Sequence, residues 1–360
     1  MQNKINSAIG KLISEKLDGL LVTNPINIFY LTGFKGISPT EREAILVVKK
    51  TKSVLITARL YSREAQKLKS PNLDVKIASE RDEYEGFTKD ALKGLKNLGF
   101  ESNNLTYAEH NKFKKYTNGK FTPIKKLIED LRQIKSPEEI ENIKKAQLIT
   151  QKAFKQILKT IKVGQTEVEI AEKLRLIITS LGAQGLAFDS IIASGPNSAL
   201  PHYATGYRKI KKGDTLLFDF GAKFNNYCAD FSRTVFIGRA NSVQQNTYSH
   251  VANAQQLAIK KIKAGQNAKD IFNISHNYFK KLGLDNNFIH SLGHGIGCQV
   301  HEKPSLSKKS KDKLENGMVF SVEPGLYFNW GGVRIEDLVY IENGKVKLIG
   351  QAAEFTEIVQ

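Results

Sequence analysis

Cysteine is scarce in this 360-residue chain. With only Cys228 and Cys298 present, no disulfide framework is implied, and a reducing cytoplasm is the expected compartment. Long apolar runs are also missing: none approaches the roughly 18 residues of a membrane span. The first 20 residues interleave Lys4, Lys11, Glu15, Lys16 and Asp18 with apolar positions, which predicts an amphipathic helix and not a signal peptide. Nor is there a basic stripe interleaved with aromatics, although the formal net charge is +18. Residues 1–135 carry 25 Lys/Arg against 15 Asp/Glu and residues 136–360 carry 29 against 21, so the excess is shared between the two parts. That distribution reads as a lysine-rich wet surface, and neither nucleic acid nor a membrane is an expected partner.

The length suffices for two domains, each with its own core. Apolar runs at 18–22, 44–48, 54–57, 73–77 and 105–108 read as strands. Helical stretches at 59–68 and 84–98 fall among them, and Asn24-Pro25 reads as a turn. Such alternation predicts a compact α/β domain with a partly parallel sheet. With His110 its one histidine, this part is expected to shape, cover or dimerise. Ser136-Pro137-Glu138-Glu139 then opens the clearest helix, with a capping serine, proline at the first helical position and glutamate three residues past the cap. Thr166 and Glu169 repeat the device for a helix reaching about 181. The domain boundary is expected near 125 to 135.

Four carboxylates beyond that boundary sit where packing alone would not put them. Asp219 lies inside the apolar run Leu216-Leu217-Phe218-Asp219-Phe220, Asp230 lies in the run that returns from it, and Asn225-Asn226 between them is turn chemistry. Ten residues separate the two acids, an even number that lets them face each other across an antiparallel pair at about 5 Å. Glu323 and Glu336, twelve residues apart, repeat the pattern. Two such acids would repel and lose hydration unless a cation lay between them. Three of the seven histidines, His290, His294 and His301, fall within twelve residues among Gly293, Gly295 and Gly297. Glycine at that density argues against a helix and for close backbone approach or a bulged strand. His202 lies outside any helix, between Pro201 and Tyr203, whereas His250 and His276 lie inside helical stretches and are read as having no site role. Four carboxylates and one imidazole, His294 the first choice, suit a pair of divalent ions, Mn²⁺ or similar, and so hydrolysis.

These motifs resemble those of the pita-bread metallopeptidases, and of the proline peptidases in particular. The likeness rests on Asp219 with Asp230, Gly293-His294-Gly295-Ile296-Gly297, His301-Glu302, Glu323-Pro324-Gly325 and Val333-Arg334-Ile335-Glu336-Asp337. Pro201-His202-Tyr203, Asn24-Pro25 and Tyr30-Leu31-Thr32-Gly33-Phe34 extend it over nearly the whole chain. The resemblance implies a creatinase-like N-terminal α/β domain over 1–125 followed by a pita-bread catalytic domain over 126–360, usually as a homodimer. It implies an Xaa-Pro aminopeptidase or Xaa-Pro dipeptidase (prolidase) that acts through a hydroxide held between two metal ions. By the same likeness Asp219, Asp230, His294, Glu323 and Glu336 are the metal ligands, with Mn²⁺ expected and Co²⁺ or Zn²⁺ as substitutes. Glu323, His301, His202 and His290 take the catalytic roles, and His202, His301, Tyr327 and Arg334 contact substrate. Rival readings are a methionine aminopeptidase-like or other pita-bread hydrolase and a non-catalytic binding protein of the same fold.

Overall fold

The computed structural model describes residues 2–36 and 41–358. Met1, where the first expected helix begins, lies outside them. The chain divides into two compact units, residues 1–132 and 133–360.

In the first unit the elements run α1 (Gln2–Ser14), β1 (Gly19–Val22), α2 (Pro25–Thr32), β2 (Ala44–Lys49), β3 (Ser53–Ala58), α3 (Ser62–Gln66), β4 (Leu73–Ala78), α4 (Arg81–Leu92), β5 (Asn97–Glu101), α5 (Tyr107–Lys114), β6 (Lys120–Ile124) and α6 (Leu127–Arg132). The six strands form one sheet in the order β4-β3-β2-β1-β5-β6. Pairing is parallel except where β2 meets β1 and β3, so the sheet is the mixed one expected. Three local readings are overturned. Asn24-Pro25 starts a helix: the Asn24 side chain accepts from the Ile26 and Asn27 amides, and Pro25 takes the first turn, where no amide is needed. The helix read over 84–98 stops at Leu92, just before Gly94 with its positive φ of 80°, and Gly99 lies in β5. Residues 105–108 are no strand, because Thr106 and Glu109 form a capping box that launches α5.

The second unit begins with α7 (Pro137–Leu158), capped by Ser136 and Glu139 as expected, and α8 (Glu167–Ser180), capped by Thr166 and Glu169. Then come β7 (Gly185–Leu186), β8 (Ile191–Ser194), β9 (Thr215–Asp219), β10 (Ala222–Phe224), β11 (Tyr227–Cys228) and β12 (Ser232–Ile237). Two more helices, α9 (Ser242–Lys261) and α10 (Ala268–Lys281), precede β13 (Gly293–Gly295), β14 (Glu302–Leu306), β15 (Val319–Val322), β16 (Gly325–Phe328), β17 (Gly331–Arg334), β18 (Asp337–Glu342), β19 (Lys345–Ile349) and β20 (Glu357–Ile358). A helix pair followed by antiparallel sheet therefore occurs twice. Phe154 of α7 and Leu174 of α8 share a core with Phe218 and Val235, while Ala254, Phe272 and Phe279 of α9 and α10 share one with Phe320 and Val339. The principal sheets are β20-β12-β9-β8 and β14-β13-β15-β18-β19.

Register decides where the acids fall. Asn225 and Asn226 both have positive φ, 47° and 63°, the backbone of a tight hairpin turn. Counting back through Lys223 opposite Cys228 sets Asp219 opposite Ser232, so the two aspartates are diagonal neighbours and not the facing pair that their spacing suggested. In the second hairpin Val322 opposes Asp337 and Gly325 opposes Arg334, and that register runs through Glu323 and Glu336. The glycines flanking His294 make room for neighbouring backbone. A Cβ on Gly293 would lie 2.0 Å from the Ser321 carbonyl oxygen, and one on Gly295 equally close to that of Lys303. A bulge follows between His294 and Gly295.

Candidate metal centre and peptidase site

Asp219 closes β9, Asp230 sits in the bend between β11 and β12, and His294 is the middle residue of β13. Glu323 follows β15 and Glu336 precedes β18. Strand ends from both sheets thus deliver one short polar side chain each to a common place. Ligand-type atoms of Asp230, His294 and Glu336 all lie within 4.8 Å of one another. His294 Nε2 is 3.5 Å from Asp230 Oδ2 and 3.3 Å from Glu323 Oε1. Asp219 lines the same cavity, of about 310 Å³, as Asp230, His294 and Glu323. Asp219 Oδ1 and Glu336 Oε1 are buried with no hydrogen-bond partner.

Four acids in so small a buried volume disfavour one another's charge. Burial first, then the neighbouring carboxylates, raises Asp230 and Glu336 well above the ordinary range. Burial and the Asp219 charge outweigh the help of Arg334 and Ser321 and lift Glu323 to about 7. Cations lying among these groups would satisfy the orphaned oxygens and offset the repulsion between the carboxylates. The donor set, oxygen-rich with one imidazole, fits hard or borderline divalent ions.

Around this centre Arg334 is buried and fully engaged. It donates from Nη2 to Asp219 Oδ2 (2.6 Å), from Nε to Ser232 Oγ (2.9 Å), and from Nη1 to the Tyr327 hydroxyl (2.9 Å) and the Pro201 carbonyl (3.3 Å). A buried salt bridge and an orienting contact to a candidate ligand are here the same interaction. The Tyr327 hydroxyl lies 2.8 Å from His290 Nε2, while His290 Nδ1 lies 2.7 Å from the Ser291 carbonyl. Nδ1 therefore carries the proton, and Nε2 accepts from Tyr327. Burial, then Arg334, pushes His290 down to about 3, so its ring is neutral. Tyr327 stands behind His290 and Arg334 and is not among the residues lining the cavity. His301 lies edge-on to His294, ring centroids 4.3 Å apart, and burial and His294 lower its pKa. His202, exposed, lines the wall with Pro201, Phe188, Ile191 and Val300.

Sequence reasoning missed Ser321, whose hydroxyl donates to Glu323 Oε1 (2.9 Å) and accepts from the His294 amide (3.0 Å). Its position two residues before Glu323 on an alternating strand was the available signal. Also missed was the buried pair of Lys135 Nζ with Glu302 Oε2, 3.1 Å apart, beside His301 in sequence.

The fold and the site together define a two-domain protein with a carboxylate-rich candidate metal centre in a pita-bread domain. Comparison with known proteins agrees. A model described as metallopeptidase family M24 matches residues 141–343, and one described as the creatinase/prolidase N-terminal domain matches residues 4–134. The chain is 36% identical over 351 residues to an Xaa-Pro dipeptidase of Pyrococcus furiosus, covering 97% of this chain and 98% of that protein. It is also 36% identical over 350 residues to an uncharacterized peptidase, YqhT, of Bacillus subtilis, covering 95% of each. Among solved structures, an Xaa-Pro dipeptidase from Bacillus anthracis superposes with a TM-score of 0.93 at 32% identity, covering 99% of both chains. The chain belongs to metallopeptidase family M24, with a creatinase/prolidase N-terminal domain before its pita-bread domain. Among the described residues no helix is long and apolar enough to cross a membrane.

Proposed function

We propose that this chain hydrolyses the bond between an N-terminal residue and a following proline, as an Xaa-Pro dipeptidase or aminopeptidase. The observation that carries the reading is the gathering of Asp219, Asp230, His294 and Glu323 on one cavity, with a Glu336 carboxylate oxygen within 4.8 Å of ligand-type atoms of Asp230 and His294, in a chain aligned end to end with an Xaa-Pro dipeptidase. These five residues would hold two divalent ions, Mn²⁺ first, with Co²⁺ or Zn²⁺ as substitutes. Bound there, such ions lower the pKa of a water and polarise the scissile carbonyl.

The chain's own groups supply the rest. Glu323, steadied by Ser321, takes the proton of the attacking water and returns it to the departing proline nitrogen. His301 and His202, both on the cavity wall, contact substrate and its developing oxyanion. Arg334 holds Asp219 and Tyr327 in place, and His290, neutral, anchors the Tyr327 hydroxyl. Phe188, Ile191, Pro201 and Val300 form an apolar wall facing the acids, suited to a proline ring. The cavity stands at the small end of the roughly 300–1,000 Å³ range of ligand pockets, which favours short peptides. A homodimer in the cytoplasm completes the proposal, to be checked by sedimentation and by fractionation of cells.

The test is hydrolysis of Ala-Pro and Ala-Pro-Ala by protein stripped with a chelator and then reloaded with Mn²⁺. Release of alanine from either peptide only after reloading supports the reading, and the ratio of the two rates separates dipeptidase from aminopeptidase. Cleavage of Ala-Ala as readily as Ala-Pro would overturn the proline specificity.

A further inference from the structure

One wall of the cavity is carried by an irregular stretch. Between the end of β8 and Arg208 the backbone makes a short 3-10 turn over Gly195–Ala199 and then runs without regular structure through Pro201, His202 and Tyr203. What fixes it lies elsewhere in the sequence. Glu167, the first residue of α8, is completely buried. Its Oε1 accepts from the Ser194 amide (2.7 Å), the Ser194 hydroxyl (2.7 Å) and Asn197 Nδ2 (3.0 Å). Its Oε2 accepts from the Tyr203 hydroxyl (2.8 Å) and the Gly206 amide (3.3 Å). Those donors come from both ends of the stretch, and Asn197 Nδ2 in turn lies 2.8 Å from the Tyr203 hydroxyl.

A carboxylate suits the first turn of α8, but that placement does not call for its burial. The helix start is already closed by the reciprocal Thr166 and Glu169 pair. Glu167 is not among the residues lining the cavity. A buried charge is costly unless its lone pairs are filled, and here they are filled by the segment that presents His202. The far side of the segment has separate ties, Gly332 N to Ser198 Oγ (2.9 Å) and Arg334 to the Pro201 carbonyl (3.3 Å). Beyond Tyr203 the Thr205 hydroxyl donates to the Ser190 carbonyl (2.8 Å) and accepts from the Ile192 amide (2.9 Å). Without Glu167 these anchors would remain, while His202 and Tyr203, lying between them, would lose the carboxylate that fixes their position.

We propose that Glu167 is a positioning residue of the peptidase site: by binding Ser194, Asn197, Tyr203 and Gly206 it holds His202 against the substrate cavity. The inference rests on the reading above, in which His202 contacts the peptide. Its effect is exerted on substrate through His202 and not on the metal ligands.

The experiment is a double-mutant cycle on the Mn²⁺-loaded protein with Ala-Pro as substrate. Glu167→Gln, Tyr203→Phe and His202→Ala are made singly, and each of the first two is also combined with the third. Glu167→Gln lowers kcat/KM about tenfold, the equivalent of one charge-assisted hydrogen bond, mainly through KM, and Tyr203→Phe lowers it about threefold. Mn²⁺ affinity measured by titration calorimetry is unchanged. In the His202→Ala background neither substitution lowers kcat/KM further, because the group that they position is gone. Full additivity in that background, or an unchanged KM in the single variants, overturns the proposal. Should Glu167→Gln fail to fold, Tyr203→Phe and its combination with His202→Ala decide alone by the same criteria. Wild-type protein inactive on Ala-Pro overturns the functional reading and this inference with it, whereas active wild type with additive variants overturns only this inference.

Discussion

Removing the charge of Glu323 should stabilise the metal-free protein while destroying the enzyme. Folding raises this carboxyl from its ordinary 4.5 to about 7, through burial and then the charge of Asp219. A group whose proton affinity rises on folding weakens the fold as pH climbs from the unfolded value to the folded one, here from about 4.5 to about 7. At about 1.4 kcal/mol per tenfold change in proton affinity, the metal-free fold surrenders up to about 3 kcal/mol near pH 7.5, and under about 1 kcal/mol near pH 5. Glu323→Gln keeps the shape and an oxygen for the Ser321 hydroxyl but carries no proton equilibrium. Urea unfolding of chelator-treated protein should therefore show the variant about 1–3 kcal/mol more stable than wild type near pH 7.5, with the gain largely gone near pH 5. His290 and His301, whose lowered affinities act in the opposite direction, cancel in the comparison because both proteins contain them. With saturating Mn²⁺ the order should reverse, since wild type then binds the ion more tightly. A variant less stable than wild type at both pH values without metal would refute the idea that these acids repel in the empty centre.

Asp230→Ala should abolish Mn²⁺-dependent turnover while leaving a cooperative unfolding transition, and undiminished activity would remove Asp230 from the ligand set. Arg334→Met should cost about 3–5 kcal/mol in chelator-stripped protein by denaturant titration, because it strands Asp219 and breaks the contacts to Ser232 and Tyr327. Lys135→Met should cost about 3 kcal/mol by breaking the buried ion pair with Glu302. Gly293→Ala should cost at least about 2 kcal/mol and lower Mn²⁺ affinity, since the new Cβ would strike the strand that carries Ser321 and Glu323; an unaffected melting temperature and affinity would count against that packing argument.

The parts legible in the sequence were those that local rules decide. Caps at Ser136 and Thr166 named two helices because their donors and acceptors lie within four residues. Acids in the middle of apolar stretches were conspicuous because burial alone would never select them. The misread elements failed for local reasons too: Thr106 with Glu109 is the same cap that was recognised at Ser136, hidden behind Leu105. Register was harder. Counting residues between Asp219 and Asp230 gave a facing pair, but the turn centred on Asn225 and Asn226 shifts the match to Ser232. Glu167 and Lys135 were out of reach because their significance arises only from partners distant in sequence, whereas Ser321, two residues before Glu323 on an alternating strand, carried a local signal. Glu167, for instance, looks like an ordinary first-turn acid until Tyr203 is brought to 2.8 Å.

The central claim, that strand ends from two sheets join to bind a pair of cations that the chemistry requires, is tested most directly by counting. Chelator-stripped protein is titrated with Mn²⁺ while bound metal and Ala-Pro hydrolysis are followed together. The account predicts binding that saturates at two ions per chain, with hydrolysis absent at zero metal and rising with occupancy. No retained Mn²⁺, or hydrolysis at full rate in the stripped protein, would contradict it.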